Sequence, residues 1–248
     1  MRPAHLLLAA CASPVLSLTI PLAAWEAVLD AYDHLRHPNP PAALAKPSEY
    51  EVGWADPRLN GGRFLDFTTP KAGEPLNVII SNESDPYILT EPGFRAYYKS
   101  IGFSEECLGL HIGHIHDADL GDGEGRKGEH ILARQYYFPR WGTCWESIAG
   151  GNHFRAWKQN GTDADTGAWF LAVSKEENSS KNHMIVPDGY NIGRDLLVEN
   201  AAGVTHWNGM WWQVDVEWRE GLLAPGHKGV NHKIAQDGRV AILTVNRL

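Results

Sequence analysis

The residues best suited to chemistry crowd into the stretch from Cys144 to Val198, which runs CWESIAGGNHFRAWKQNG, a polar loop, TGAWFLAVS and then NHMIVPDGYNIGRDLLV. His153 and His183, Arg155 and Arg194, and Asp188 and Asp195 are interleaved there with Trp145, Trp157 and Trp169, and none sits in a charge run that solvation alone explains. A neutral imidazole serves as general acid or base, or as a metal ligand, so His153, His183 and Asp188 form the candidate catalytic group. Two histidines with one carboxylate are also the donor set of a 2-His-1-carboxylate metal site. Arg155 and Arg194 suit bidentate recognition of a planar anion. Asn191 is the expected cap of the helix that carries Arg194, where free N–H groups would add to an anion site, and Trp157 completes the expected ligand-binding set. Plainer roles stay open for each: a histidine bonded to backbone, or an arginine paired with Asp195 or Glu146.

A second constellation lies upstream, in HIHDADLGDGEG. Asp117, Asp119 and Asp122 offer hard oxygen ligands of the type calcium takes, and the glycines permit tight turning. The spacing departs from the helix-loop-helix calcium pattern, because Gly121 stands where a third ligand belongs and Gly128 where the closing Glu belongs. A solvated acidic turn is the alternative, and His114 and His116 leave a transition-metal site open. The cofactor expectation is thus a divalent metal of unspecified identity. No Gly-x-Ser-x-Gly surrounds Ser147, so a serine-hydrolase elbow is not indicated. Of the tryptophans, Trp141, Trp145, Trp207 and Trp211 are the candidates to stack on sugar faces, whereas Trp212 and Trp218 read as core.

Positioning elements can be read around these residues. Trp25 to His37 carries apolar residues at helical spacing and runs into a proline-rich connector. Leu76 to Ser81 reads as a buried strand, and Thr90, Pro92 and Gly102 bracket a helix whose inner face is Phe94, Tyr97, Tyr98 and Ile101. Cys107 to Ile115 alternates as a strand. His153 and Arg155 are expected on one face of a strand beside Gly167 to Val173. A helix capped by Asn191 should turn Ile192, Leu196 and Val198 or Leu197 inward, leaving Arg194 and Asp195 on its polar side. Met210 to Trp218 alternates strictly, with Trp212, Val214, Val216 and Trp218 inward, and Val240 to Val245 is a further buried strand. The result is an α+β domain with a mixed, largely buried sheet flanked by helices.

With 248 residues, 43% of them hydrophobic, the chain can bury one full core. A net charge of -8 argues against nucleic acid as a partner. Residues 1–20 have the build of a signal peptide whose end the sequence leaves open, with a signal anchor as the alternative. Residues 21–65 then form the N-terminal helix and connector, and 66–248 the single domain. Once the leader is removed no stable membrane insertion is expected. Removal also leaves Cys107 and Cys144 as an even pair, expected to be bonded as in other exported chains. Sequons at Asn82, Asn160 and Asn178 fit a secreted glycoprotein.

HFRAW, AWFLAV and the His183 to Asp195 segment together resemble the LssY C-terminal domain family, whose members share a His-x-x-Arg-x-Trp-like element, a Trp-containing strand and a His followed by a run ending in Glu-Arg-Asp. Here these correspond to His153 through Trp157, to Trp169, and to His183 through Asp195, with Leu76-Asn77-Val78 similar to the opening strand, so the resemblance covers about residues 70 to 200. Arg155 directly follows Phe154, the acidic run is reduced to Pro187-Asp188, and Gly193 replaces the glutamate before Arg194-Asp195. The resemblance extends to secreted fungal proteins that carry this domain without its membrane partner. The family has no established activity to carry over, and the lysine-arginine-histidine signature of its phosphatase-like partner domain is absent from this chain, so the resemblance implies no phosphatase activity. Two functional expectations remain: a hydrolase-like or metal-dependent pocket for a small anionic molecule or a glycan, or a non-catalytic extracellular binding protein with the same pocket.

Overall fold

The computed structural model describes residues 51–110, 114–137 and 142–248. The expected leader, the Trp25 to His37 helix, most of the proline-rich connector, His111 and Trp141 lie outside the described residues. All that is described belongs to one compact unit, His37–Leu248. In chain order its strands are β1 (Leu76–Ile80), β2 (Phe103–Ser104), β3 (Asp117–Asp119), β4 (Arg126–Gly128), β5 (Ile131–Gln135), β6 (Gly151–Lys158), β7 (Trp169–Glu176), β8 (Val204–Trp207), β9 (Met210–Arg219) and β10 (Val240–Arg247). The helices are α1 (Glu91–Ser100), α2 (Gly142–Ala149) and α3 (Gly189–Ala201). The main sheet has eight strands in the order β2-β5-β6-β7-β1-β10-β9-β8, and β3 and β4 form a separate hairpin. Strands β1 and β10 run parallel, while their neighbours pair antiparallel, so the sheet is mixed as the sequence indicates.

The pleat sorts side chains onto two faces with different covers. Phe154 and Ala156 of β6, Leu171 and Val173 of β7, and Val78 and Ile80 of β1 pack in one core with Phe94, Tyr97 and Tyr98 of α1 and Leu197 and Ala201 of α3. Trp157, Phe170, Ala172, Leu76 and Ile79 point the other way, into a core closed by Trp54, Phe64, Leu120, Leu222 and Leu223 from loops. Residues 51–65 are therefore part of the domain, where the sequence places the end of a connector.

Local chemistry explains several elements. Thr90 Oγ1 accepts the Gly93 N–H at 3.2 Å at the start of α1, and Gly102, at φ 86°, follows its end. Phe94 stacks on Trp169 with centroids 4.9 Å apart, tying α1 to β7, and its truncation to alanine would cost about 3–5 kcal/mol. In β9, Trp212 is fully buried and Val214, Val216 and Trp218 pack on the same core, while Gln213, Asp215 and Glu217 are exposed.

Two expected elements differ. Cys107–Gly109 is a 3-10 turn rather than a strand, with Leu108 at φ 57° and Leu108 and Leu110 exposed. The disulfide between Cys107 and Cys144, with Cα atoms 4.5 Å apart, ties this segment to α2, and β2 occupies the sheet edge beside β5 instead. Helix α3 begins at Gly189, with Asp188 rather than Asn191 at the cap position. Its buried residues include Tyr190, Gly193, Arg194, Leu197 and Ala201, whereas Ile192 and Leu196 are half-buried. Gly193 sets that face: a Cβ there would meet the Ser174 backbone carbonyl carbon at 2.5 Å, so its absence lets α3 lie directly on β7. Arg194, on the same side, is drawn inward.

Candidate functional site

Strand register brings the first group of polar residues together. Arg134 pairs with His153 across β5 and β6, His153 with Ser174 and Gly151 with Glu176 across β6 and β7, so all project onto the loop-covered face. Glu176 is the centre. Its Oε1 lies 3.5 Å from His153 Nδ1 and its Oε2 lies 3.4 Å from His183 Nδ1, while Arg134 donates to Oε2 at 2.9 Å. One carboxylate therefore bridges two imidazoles from distant parts of the chain. Burial alone would raise the Glu176 pKa, but its positively charged surroundings, Arg134 bonded to it foremost, outweigh that and hold it below the ordinary value. His153 is pushed down to about 3 by burial, with Arg134 and Arg155 adding to the effect against Glu176, and is a neutral imidazole. Ser174 Oγ stands 3.5 and 3.4 Å from its two ring nitrogens.

His183 differs from His153 in being a third exposed, at 32% of its side chain. Its Nδ1 is nevertheless buried and makes no hydrogen bond, the Glu176 oxygen lying near it but off a bonding angle. Asn182, His183 and Asp188 all have positive φ (53°, 51° and 62°), a strained run that swings His183 back over the end of β7.

Arg134 is itself a hub. Besides Glu176 it meets both Glu146 oxygens at 3.2 Å and Glu106 at 3.2 Å. Glu106 adjoins Cys107 and Glu146 lies two residues beyond Cys144, so the disulfide holds together the two segments that supply these carboxylates. Gly151 makes room, since a Cβ there would stand 2.8 Å from Glu146 Cγ. Burial pushes Glu146 up to about 7 against the pull of Arg134, whereas Arg134 is raised by its carboxylates. Three carboxylates share one guanidinium, and Glu146 is the one whose pKa burial raises.

Beside this group lies a second, built from loops. Asp66 Oδ1 accepts the Thr68 and Glu74 N–H groups at 2.9 and 2.8 Å and the Thr68 hydroxyl at 2.6 Å, and its Oδ2 lies 2.8 Å from His116 Nδ1. Glu129 accepts from the His116 backbone N–H and from Arg155 Nη1. Glu74 is buried with an unpartnered Oε2, and Arg155 Nε is likewise buried without a partner. Burial and then Asp66 push Glu74 up to about 7. One ligand atom each from Asp66, Glu74 and His116 lies within 4.8 Å of the others, a set that could hold a metal.

The remaining expected site residues lie elsewhere. Arg194 binds both oxygens of Asp237 at 2.6 and 2.8 Å, the Arg239 carbonyl at 2.8 Å and Asp195 at 2.9 Å, and lies over Trp218, so it is a structural cation and not an anion receptor. Asn191 joins the same network, donating to Asp188 at 2.7 Å and accepting the Asp237 N–H at 3.1 Å. Asp188 thus serves the turn into α3. Trp157 is fully buried among apolar residues and offers no face to a ligand.

The acidic loop is a hairpin held by basic partners. Asp122 is buried and takes Lys127 Nζ at 2.7 Å, Asp117 meets Arg126 at 3.3 Å, and Asp119 accepts the Gly121 N–H at 3.0 Å. These partners engage the oxygens that the calcium reading assigns to a cation. Asn82 and Asn160 are exposed and Asn178 half-buried. Trp207 and Trp211 are exposed on the β8–β9 hairpin, with the tilted ring of His206 4.4 Å from that of Trp211.

Sequence reasoning missed Glu176, Arg134, Asp66, Glu74 and Glu129. Extending the alternation of β7 three residues past Val173 places Ser174 and Glu176 on the face of Ala172, and that signal was available. The loop residues carry no periodicity, and only their convergence reveals them. Comparison with protein-family models, with curated proteins and with solved structures finds no match.

Proposed function

We propose that this chain is a secreted hydrolytic enzyme acting by acid–base catalysis on a small uncharged, glycan-derived molecule. The observation that carries this reading is the Glu176 carboxylate flanked by His153 and His183. His183 is the catalytic residue: with Nδ1 turned to an ionised carboxylate, its other nitrogen takes a proton from an attacking water and returns it to the leaving oxygen. Glu176, 3.4 Å from Nδ1, stabilises the imidazolium by its charge, and Arg134 fixes Glu176 from behind. His153, neutral and buried, is a positioning residue. Arg134, Arg155 and Arg194 are each engaged by the protein's own carboxylates, which favours an uncharged ligand over the anionic one.

Secretion and glycosylation belong to the same proposal, supported by the leader-like first residues, the exposed sequons and the disulfide. So does kinship with the LssY C-terminal domain, which rests on motif order alone. Among the described residues no helix is long and apolar enough to cross a membrane. The test is a panel of uncharged chromogenic glycosides and esters with wild type, Glu176→Gln and His183→Ala. Hydrolysis reduced at least about 100-fold in both folded variants supports the reading. Absence of turnover across the panel, or turnover that survives Glu176→Gln, contradicts it.

A further inference from the structure

Asp66 and Glu74 place two carboxyl groups and His116 one imidazole in a buried cage, with exposures of 0, 4 and 8%. Interiors tolerate such groups only when charge and hydrogen bonds are compensated. Asp66 is well served, with Oδ1 taking three donors and Oδ2 facing His116. Glu74 is not: its Oε2 has no partner, and the nearby arginine, Arg155, has its Nη1 on Glu129. The backbone is organised around these three residues. The Glu74 N–H is held by Asp66, the Asp66 N–H donates back to the Glu74 carbonyl at 2.9 Å, and the His116 N–H is fixed by Glu129. These contacts fix the backbone at each of the three residues.

We propose that Asp66, Glu74 and His116 bind one divalent first-row transition-metal ion. Two carboxylate oxygens and one imidazole nitrogen, all within 4.8 Å of one another, make a three-ligand set that leaves coordination positions open. The imidazole among the donors favours zinc over calcium, whose sites are built from oxygen, and the two carboxylates also admit manganese. The ion supplies the partner that Glu74 Oε2 lacks and compensates the paired carboxylates. A cavity of about 400 Å³ is lined by Ile115, His130, Leu132 and Glu129, the carboxylate that holds the His116 N–H. This site differs from the expected one at Asp117, Asp119 and Asp122, and it stands whether or not His183 and Glu176 perform hydrolysis.

The experiment uses the full secreted chain, stripped with chelator and dialysed, and titrates Zn2+, Mn2+ and Ca2+ separately by calorimetry, with the melting temperature followed alongside. One equivalent of Zn2+ or Mn2+ should bind and raise the melting temperature, and Ca2+ should bind at least about tenfold more weakly. Glu74→Gln and His116→Ala should each weaken Zn2+ binding about 100-fold or more and remove the thermal shift. Glu74→Gln keeps the shape of the side chain and removes a buried charge, so it should fold as well as the stripped wild type. The proposal is overturned if neither Zn2+ nor Mn2+ binds the wild type, or if binding is unchanged in folded Glu74→Gln. Because no substrate is used, a failed hydrolysis assay does not affect this result.

Discussion

Replacing Glu146 with glutamine should change the way stability depends on pH. Glu146 is fully buried against Arg134, and burial moves its pKa from 4.5 to about 7. Between those values the folded chain keeps a proton that the unfolded chain has released, so stability falls as pH rises and levels off above the folded value. A shift of this size corresponds to about 3 kcal/mol lost across the window, at roughly 1.4 kcal/mol per unit. Glutamine holds the neutral shape at every pH and does not contribute to that slope. Urea unfolding of wild type and Glu146→Gln at pH 5 and pH 8 gives the result as a difference of differences, in which the same-signed contribution of Glu74 cancels. Wild type should lose about 2–3 kcal/mol more than the variant between the two conditions. Equal pH slopes in the two proteins would refute the assignment of Glu146 as the proton-holding member of the Arg134 hub.

Unfolded wild type should contain no reactive thiol when reductant is omitted, and replacing Cys107 and Cys144 together by alanine should cost about 4 kcal/mol on the chain-entropy model, measured by denaturant unfolding. Arg194→Ala should destabilise by about 3–5 kcal/mol, because Asp237 loses both bonds to the guanidinium and keeps only that from the Arg239 N–H, and phosphate should not raise the melting temperature of the wild type. Lys127→Met should lower stability by about 2–4 kcal/mol, leaving Asp122 buried without its cation, and added calcium should not restore it.

Where burial follows a simple period, the sequence already shows the fold. Leu76–Ile80, Met210–Arg219 and Val240–Arg247 are strands with the expected sides inward, and Thr90 and Gly102 bracket α1 as their chemistry requires. The pairing of HFRAW with the Trp169 strand, and hence the shared face of His153 and Arg155, was likewise legible. What could not be read is which partner each charge would find. Arg194 and Arg155 look alike in sequence, and only tertiary packing sends one to Asp237 and the other to Glu129. The α3 face escaped periodicity because Gly193, apolar in no useful sense, decides the approach to β7. Asp66, Glu74 and Glu129 lie in loops, where no pattern distinguishes a buried carboxylate from a solvated one.

The claim at the centre of this account is that Glu176 joins His153 and His183 into one unit, and long-range proton–nitrogen NMR of the histidine side chains tests it most directly. Titration of wild type from pH 8 to pH 4 should show His153 remaining a neutral imidazole throughout, consistent with a pKa of about 3, and Glu176→Gln should shift the ring nitrogens of both His153 and His183. A His153 that becomes protonated near the ordinary histidine value, or a Glu176→Gln spectrum in which either ring is unmoved, would contradict it.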